Sequence, residues 1–189
     1  MGEGTRSWAY HETDHFRAER YKFIPPAIGG KELVRLHLGC GKRKYRGYVN
    51  IDSGGSPDLV CDITALPFKP ETVSEILAVH VFEHLFPWKV EAVLTHWYSL
   101  LVPGGKLIME MPDLNKVLEH FKNPKMPVAM TMCALYGGDQ SERIEDLHKW
   151  AWNFVSLEPL IKKAGFTSVV EKLAQFHVPE RDFIIEGTK

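Results

Sequence analysis

The chain has 189 residues, 44% of them hydrophobic, with 23 basic against 24 acidic side chains and a formal net charge of −1. That is enough apolar material for one sizeable core and a single globular domain, and the balanced charge excludes a broad nonspecific nucleic-acid-binding surface. Cys40, Cys61 and Cys133 are too few and too scattered for a disulfide or zinc pattern, the N-terminus has no apolar signal core, and no apolar run approaches the ~20 residues of a membrane span, so a cytoplasmic protein away from membranes is expected.

Residues 1–30 are polar and aromatic and close on Pro25-Pro26 and Gly29-Gly30. They are expected to form an N-terminal helical arm or lid, with a helix over roughly 10–21. From residue 31 to 189, short apolar runs alternate with helical periods, the pattern of an α/β sheet with parallel strands. Strands are predicted over 33–38, 48–51, 59–61, 75–81 and 106–111. Between the last two, Val90, Val93, Leu94, Trp97 and Leu101 share one helix face, and Pro103-Gly104-Gly105 is expected to stop that helix and turn the chain. Residues 113–147 read as an insertion, with a short helix around Val117, Leu118 and Phe121 and a flexible turn at Tyr136-Gly137-Gly138. Ser156 is expected to cap a last helix with Pro159 in its first turn and Gly165 at its end. Two final strands, 166–173 and 181–186, would form a hairpin at the sheet edge.

The first strand runs directly into Gly39-Cys40-Gly41, where glycine permits a sharp turn and close approach of backbone to a ligand. Asp52 ends the second run, where a carboxylate can accept hydrogen bonds from both hydroxyls of a ribose. Asp62 repeats the arrangement after the third run. It could receive an adenine amino group, with Ile63 against the ring, or simply cap a turn. A dinucleotide fingerprint needs a third glycine where this chain has Lys44, so a pyrophosphate is not supported and a nucleoside without phosphates fits better. About eight residues, 39 to 46, separate the first two runs. A full crossover helix needs a dozen or so, so the helix after the glycine turn is expected to be a stub.

The succession LHLGCG, GYVNID, CDITALPF, EILAVHVFEHL, LLVPGGKLIMEMPDL and LIKKAGF resembles a class I S-adenosylmethionine-dependent methyltransferase of the type-11-like group, over roughly Leu33 to Lys189. The resemblance implies a Rossmann-like three-layer sandwich, with a mostly parallel seven-stranded sheet whose last strand is antiparallel. It also implies S-adenosyl-L-methionine as cofactor and S-adenosyl-L-homocysteine as product. Carried over by position, Gly39, Cys40 and Gly41 would line the methionine part and Asp52 would hold the ribose. Asp62 and Ile63 would hold the adenine, with Leu38 and Ser53 as further cofactor contacts. His80 would place its backbone carbonyl near the cofactor's amino group.

Methyl transfer needs a nucleophile in line with the methyl–sulfur bond and, for a hydroxyl acceptor, a base. His148 is the candidate catalytic base, being a side chain that titrates near neutrality. Glu83, His84, Asp113, Tyr136 and Trp150 are expected to face substrate. Trp150 and Trp152 alternate, so one is expected to line the pocket and the other to join the core. His80, Glu83 and His84 lie at i, i+3 and i+4, on one face if VFEHL opens a helix. Such a trio can hold a divalent ion, but hydrogen bonds that orient the loop are the favoured reading and no metal is expected. The basic run Lys42-Arg43-Lys44-Tyr45-Arg46 is either a solvated loop or a seat for an acidic group, such as the cofactor carboxylate, a uronate or a phosphate. The leading expectation is a methyltransferase acting on an oxygen or nitrogen of a small-molecule or sugar acceptor, as a monomer or homodimer. The alternative is a catalytically silent methyltransferase-like binding module or partner subunit. A nicotinamide-dependent oxidoreductase is disfavoured by Lys44.

Overall fold

The strands form where apolar runs are too short for helices and are bounded by glycine, proline or aspartate. In the computed structural model, which describes residues 33–138 and 144–189, they are β1 (Val34–Leu38), β2 (Val49–Asp52), β3 (Leu59–Val60), β4 (Val73–Val79), β5 (Leu101–Pro112), β6 (Thr167–Leu173) and β7 (Asp182–Thr188). They make one seven-stranded sheet in the order β3-β2-β1-β4-β5-β7-β6. The pairs among β1 to β5 are parallel, and β7 is antiparallel to both β5 and β6. The final two strands are therefore a hairpin, as expected, but β7 sits inside the sheet and only β6 is the edge. The arm expected over 1–30 lies outside the described residues.

The two-residue period of a strand divides the core. Leu36, Leu38, Ile76, Ala78, Leu107, Met109, Phe183 and Ile185 point to one face. There they meet α1 (Pro87–Leu100) through Val90, Val93, Leu94 and Trp97, and α4 (Phe154–Lys163) through Leu157 and Ile161. Trp97 is fully buried, and its indole N–H donates to the Ile63 carbonyl at 2.9 Å, which fastens α1 to the turn after β3. Leu77, Ile108 and Ile184 alternate to the opposite face, where Tyr45, Tyr48, Val79 and Phe176 pack on them.

Three local expectations need correction. Pro103-Gly104-Gly105 does turn the chain, but within the strand: β5 starts at Leu101, directly after α1, and pairing with β4 jumps from Val73–Leu101 to Glu75–Lys106 across these residues, with Gly104 at φ +79°. The Gly104 N–H donates to the Lys189 carbonyl (2.8 Å) while Lys189 N–H donates to Gly105 (3.0 Å). Proline is tolerated there because it stands near the start of the strand, away from the ladder's centre. Ser156 is not the cap of the last helix. Asn153 caps it, accepting the Ser156 N–H at 2.9 Å, and Ser156 returns the bond from the third helical position as a capping box. Pro159 accordingly lies inside α4 rather than in its first turn. The carbonyl it leaves without a helical donor belongs to Val155, whose side chain is largely exposed. Within the expected insertion stand α2 (Leu114–Lys122), α3 (Val128–Tyr136) and a short 3-10 turn, Ile144–Asp146.

Candidate active site

The open end of a parallel sheet lies beyond the carboxyl ends of its strands, and the candidate residues gather there. Gly39 and Gly41 take positive φ, +62° and +51°. A Cβ on Gly39 would fall 1.8 Å from Val81 Cγ2, so the turn closes against the segment after β4 only because that side chain is missing. Asp52, at the tip of β2, receives the Gly41 N–H at 2.8 Å and the Gly54 N–H at 3.2 Å. The glycine turn and the carboxylate are thus one unit. Leu38 and Cys40 are buried behind it, and Ser53 is exposed at its rim. Burial and the Asp52 charge push the Cys40 thiol up, which leaves it protonated and unreactive at neutral pH.

No helix forms between β1 and β2, in line with the expected shortening; residues 39–48 carry turns only. Asn50 supplies the missing support, a role not recognised from sequence. It is buried mid-strand, and its carboxamide accepts the Tyr45 N–H (2.8 Å) and donates to Asp58 (2.7 Å) and to the Tyr45 and Tyr48 carbonyls (3.2 Å each). A polar residue inside an apolar strand was the available signal. Within the basic run, Lys44 is paired with Asp58 at 2.9 Å, whereas Lys42 and Arg43 line a cavity of about 360 Å³ together with His37, Gly39, Cys40, Tyr45, Val79, His80 and His177.

Asp62 stands exposed after β3, and its Oδ1 accepts the Thr64 N–H and hydroxyl, both at 2.8 Å. The turn-capping alternative weighed for it is therefore realised. Ile63 beside it is half-buried.

His80 follows β4 in a left-handed backbone conformation, φ +52°, uncommon for a residue with a side chain. Its N–H donates to the Glu110 carbonyl at 2.8 Å. Its ring bridges two buried carboxylates, Nδ1 to Glu83 at 3.0 Å and Nε2 to Asp182 at 3.1 Å. Burial opposes a charge on this ring, but the bonds to Asp182 and Glu83 outweigh it and push its pKa up to about 9, so it is an imidazolium at neutral pH. Despite burial, the His80 and Arg181 contacts hold the Asp182 carboxyl well below the usual range; Arg181 grips it at 2.6 and 2.7 Å. His177 stacks beside His80, ring centres 4.3 Å apart, and burial together with the His80 charge lowers it to about 3. Arg181, Asp182 and His177 were not recognised from sequence, because they meet His80 only through the fold.

VFEHL makes a 3-10 turn, Phe82–His84, rather than the start of a helix. The trio His80, Glu83 and His84 is consequently not one face. Glu83 joins His84 and His148 instead, with one donor atom from each within 4.8 Å of the others. The His148 ring holds its Nδ1 at 3.0 Å from the Ala134 carbonyl and its Nε2 at 3.8 Å from Glu83 Oε1. Burial lowers its pKa, against the pull of Glu83, so it is neutral at pH 7 with a free lone pair on Nε2. The Glu83 carbonyl receives the N–H groups of Lys149 (2.8 Å) and Trp150 (3.2 Å), which anchors the 148–150 segment to the turn. Tyr136 and Trp150 are both more than half to half exposed at this end, 61% and 50%, while Trp152 is in the core. Asp113 is largely buried, and its Oδ1 caps α2 by accepting the Asn115 N–H at 2.9 Å.

A family model described as a methyltransferase domain matches residues 42–109. Protein-L-isoaspartate O-methyltransferase 1 of Archaeoglobus fulgidus is 28% identical over 148 residues, 75% of this chain, and the chain spans 65% of that relative's length. Among solved structures, a possible histamine N-methyltransferase from Thermotoga maritima superposes with a TM-score of 0.58 at 19% identity over 82% of each chain. A Burkholderia thailandensis 1,6-didemethyltoxoflavin-N1-methyltransferase, solved with 1,6-didemethyltoxoflavin and S-adenosylhomocysteine, superposes at 0.55 with 15% identity, covering 85% of this chain and 72% of that one. The strand order, with its one antiparallel strand inserted beside the edge, is the fold of these methyltransferases, and residues 42–109 carry the matching methyltransferase-domain sequence.

Proposed function

We propose that the chain transfers the methyl group of S-adenosylmethionine to an oxygen or nitrogen of a small-molecule or glycan acceptor. The observation that carries this reading is the unit formed by Gly39, Gly41 and Asp52. A turn without side chains and a carboxylate at the next strand tip suit the methionine chain and the ribose, and no helix N-terminus is present to favour a pyrophosphate. Lys42 and Arg43 on the cavity wall suit the cofactor's carboxylate. The His80 carbonyl is assigned to its amino group, and Asp62 and Ile63 to the adenine. The acceptor would enter on the side of His148, His84, Tyr136 and Trp150. There the lone pair on His148 Nε2 would remove the acceptor's proton. The electron pair of the nucleophile then forms the new bond to carbon as the carbon–sulfur bond breaks toward sulfur.

Asp52→Ala tests the cofactor assignment. Titration calorimetry with S-adenosylhomocysteine should show a loss of about 1–3 kcal/mol, the range for losing a charge-assisted hydrogen-bond partner; unchanged affinity would move the ribose elsewhere. Turnover against a panel of hydroxyl, amine and sugar acceptors separates an enzyme from a silent binding module. An isoaspartyl peptide belongs in that panel, because the named Archaeoglobus relative is an O-methyltransferase of proteins.

A further inference from the structure

Glu83 is 2% exposed, and its Oε2 has no hydrogen-bond partner. A carboxylate oxygen left bare in the interior is costly. Something positive should therefore complete it. His80 cannot, since it already engages Oε1 and turns its other nitrogen to Asp182.

Two imidazoles stand beside that carboxylate, each with Nδ1 tied to a backbone carbonyl, His84 to Leu147 at 3.2 Å and His148 to Ala134 at 3.0 Å. A carbonyl accepts only, so Nδ1 carries the proton in both rings and Nε2 carries the lone pair. This is the outer-shell arrangement that fixes the tautomer of metal-ligating histidines. The rings lie edge to face with centres 4.8 Å apart. One donor from each of Glu83, His84 and His148 already falls within 4.8 Å of the others. Bonds of about 2.0–2.2 Å to an ion place its donors roughly 3–4 Å apart, which small side-chain rotations would reach.

We propose that Glu83 Oε2, His84 Nε2 and His148 Nε2 form a site for a divalent transition-metal ion, with Zn²⁺ the best match. Two imidazoles and one carboxylate suit a borderline cation, and three protein ligands leave a position open. The other group of three candidate ligands, His80, His177 and Asp182, does not suit a cation. There His80 spends both ring nitrogens on Glu83 and Asp182, and Arg181 occupies both Asp182 oxygens.

The open position gives the ion a role that rests on the methyltransferase reading. An acceptor hydroxyl bound to it becomes more acidic and releases its proton to water. The oxygen's electron pair then forms the carbon–oxygen bond, and the carbon–sulfur pair leaves with sulfur. His148 acts as ligand, and the ion replaces it as the activating group.

The test uses the full chain stripped with a chelator and titrated with Co²⁺, read by its d–d absorption, then with Zn²⁺ in competition. One equivalent of Co²⁺ should bind with the intense bands of a four- or five-coordinate ion, and Zn²⁺ should displace it. His84→Ala and His148→Ala should each weaken binding about tenfold or more. His84 is the deciding position, being half-buried at the end of a short turn, and S-adenosylhomocysteine affinity in that variant reports that the fold is intact. A spectrum identical to hexaaquo Co²⁺ in the parent chain, or an affinity unmoved by His84→Ala in a folded protein, would overturn the site. Failure of S-adenosylhomocysteine to bind the parent chain while Co²⁺ still binds would remove the methyltransferase reading and leave the metal site standing.

Discussion

His80 shows how much one side chain can carry. Its positive φ, its two carboxylate partners and its raised pKa all follow from its place where β4 leaves the sheet. The folded state binds its proton more tightly than the unfolded chain does, whose histidines titrate near 6.5. The resulting stabilisation is complete below pH 6.5 and is lost as pH rises through about 9. Urea unfolding from pH 6.5 to 9.5 should therefore show a decline on the order of 2 kcal/mol, and His80→Gln should flatten that slope. Had His80 been an ordinary exposed histidine, the parent and the variant would run in parallel. Nothing local in AVHVF announces this. The partner at Asp182 is 102 positions away, and a contact of that kind is invisible to periodicity and spacing. The glycine turn and the place of Asp52 beside it were legible because that geometry depends on backbone shape within a single strand–turn–strand unit.

Among the elements, β2 best shows where reading by pattern succeeds and where it stops. Its apolar residues and terminal aspartate locate it to within a residue. The buried Asn50 in its middle looks like a flaw in an apolar run until the loops on both sides are placed. Its carboxamide then proves to tie 45, 48 and 58 together in the space a crossover helix would fill. Asn50→Ala removes these bonds and leaves loop groups without partners, at a cost of about 2–3 kcal/mol. Chemical denaturation should read that loss directly, and S-adenosylhomocysteine affinity should fall with it because the glycine turn is no longer held against β2. The start of α4 was misplaced by three residues for a related reason. Asn153 and Ser156 are both good caps, and only the reciprocal bonds of a capping box distinguish the first position from the fourth. Pro103-Gly104-Gly105 does make its turn, but as a break in register near the beginning of a strand that already starts at Leu101.

At the scale of the molecule, alternating runs and helical periods were sufficient for the α/β architecture, because the layering depends on which faces are apolar. They did not reveal that Glu83 leaves His80's neighbour His84 to meet His148, since that depends on how the segment after α3 returns across the sheet. Among the described residues no helix is long and apolar enough to cross a membrane. Cofactor binding should be felt by the whole fold. S-adenosylhomocysteine at a hundredfold excess over its Kd should add about 2.7 kcal/mol to unfolding, which for a chain of this size raises the melting temperature by about 5–10 °C. Thermal unfolding monitored by circular dichroism would show it, and NAD at the same excess should give no shift.

The interior position of β7 sets an order of events during synthesis. The ribosome makes this strand last, β6 has no partner in the sheet but β7, and the residue that opens β7, Asp182, is the one that seizes the His80 ring. A nascent chain emerging only as far as β6 would have β5 as its sheet edge, an unpaired β6 and an unclamped histidine beside the glycine turn. The buried clamp on His80 would then arrive in a single late step, with the docking of that hairpin.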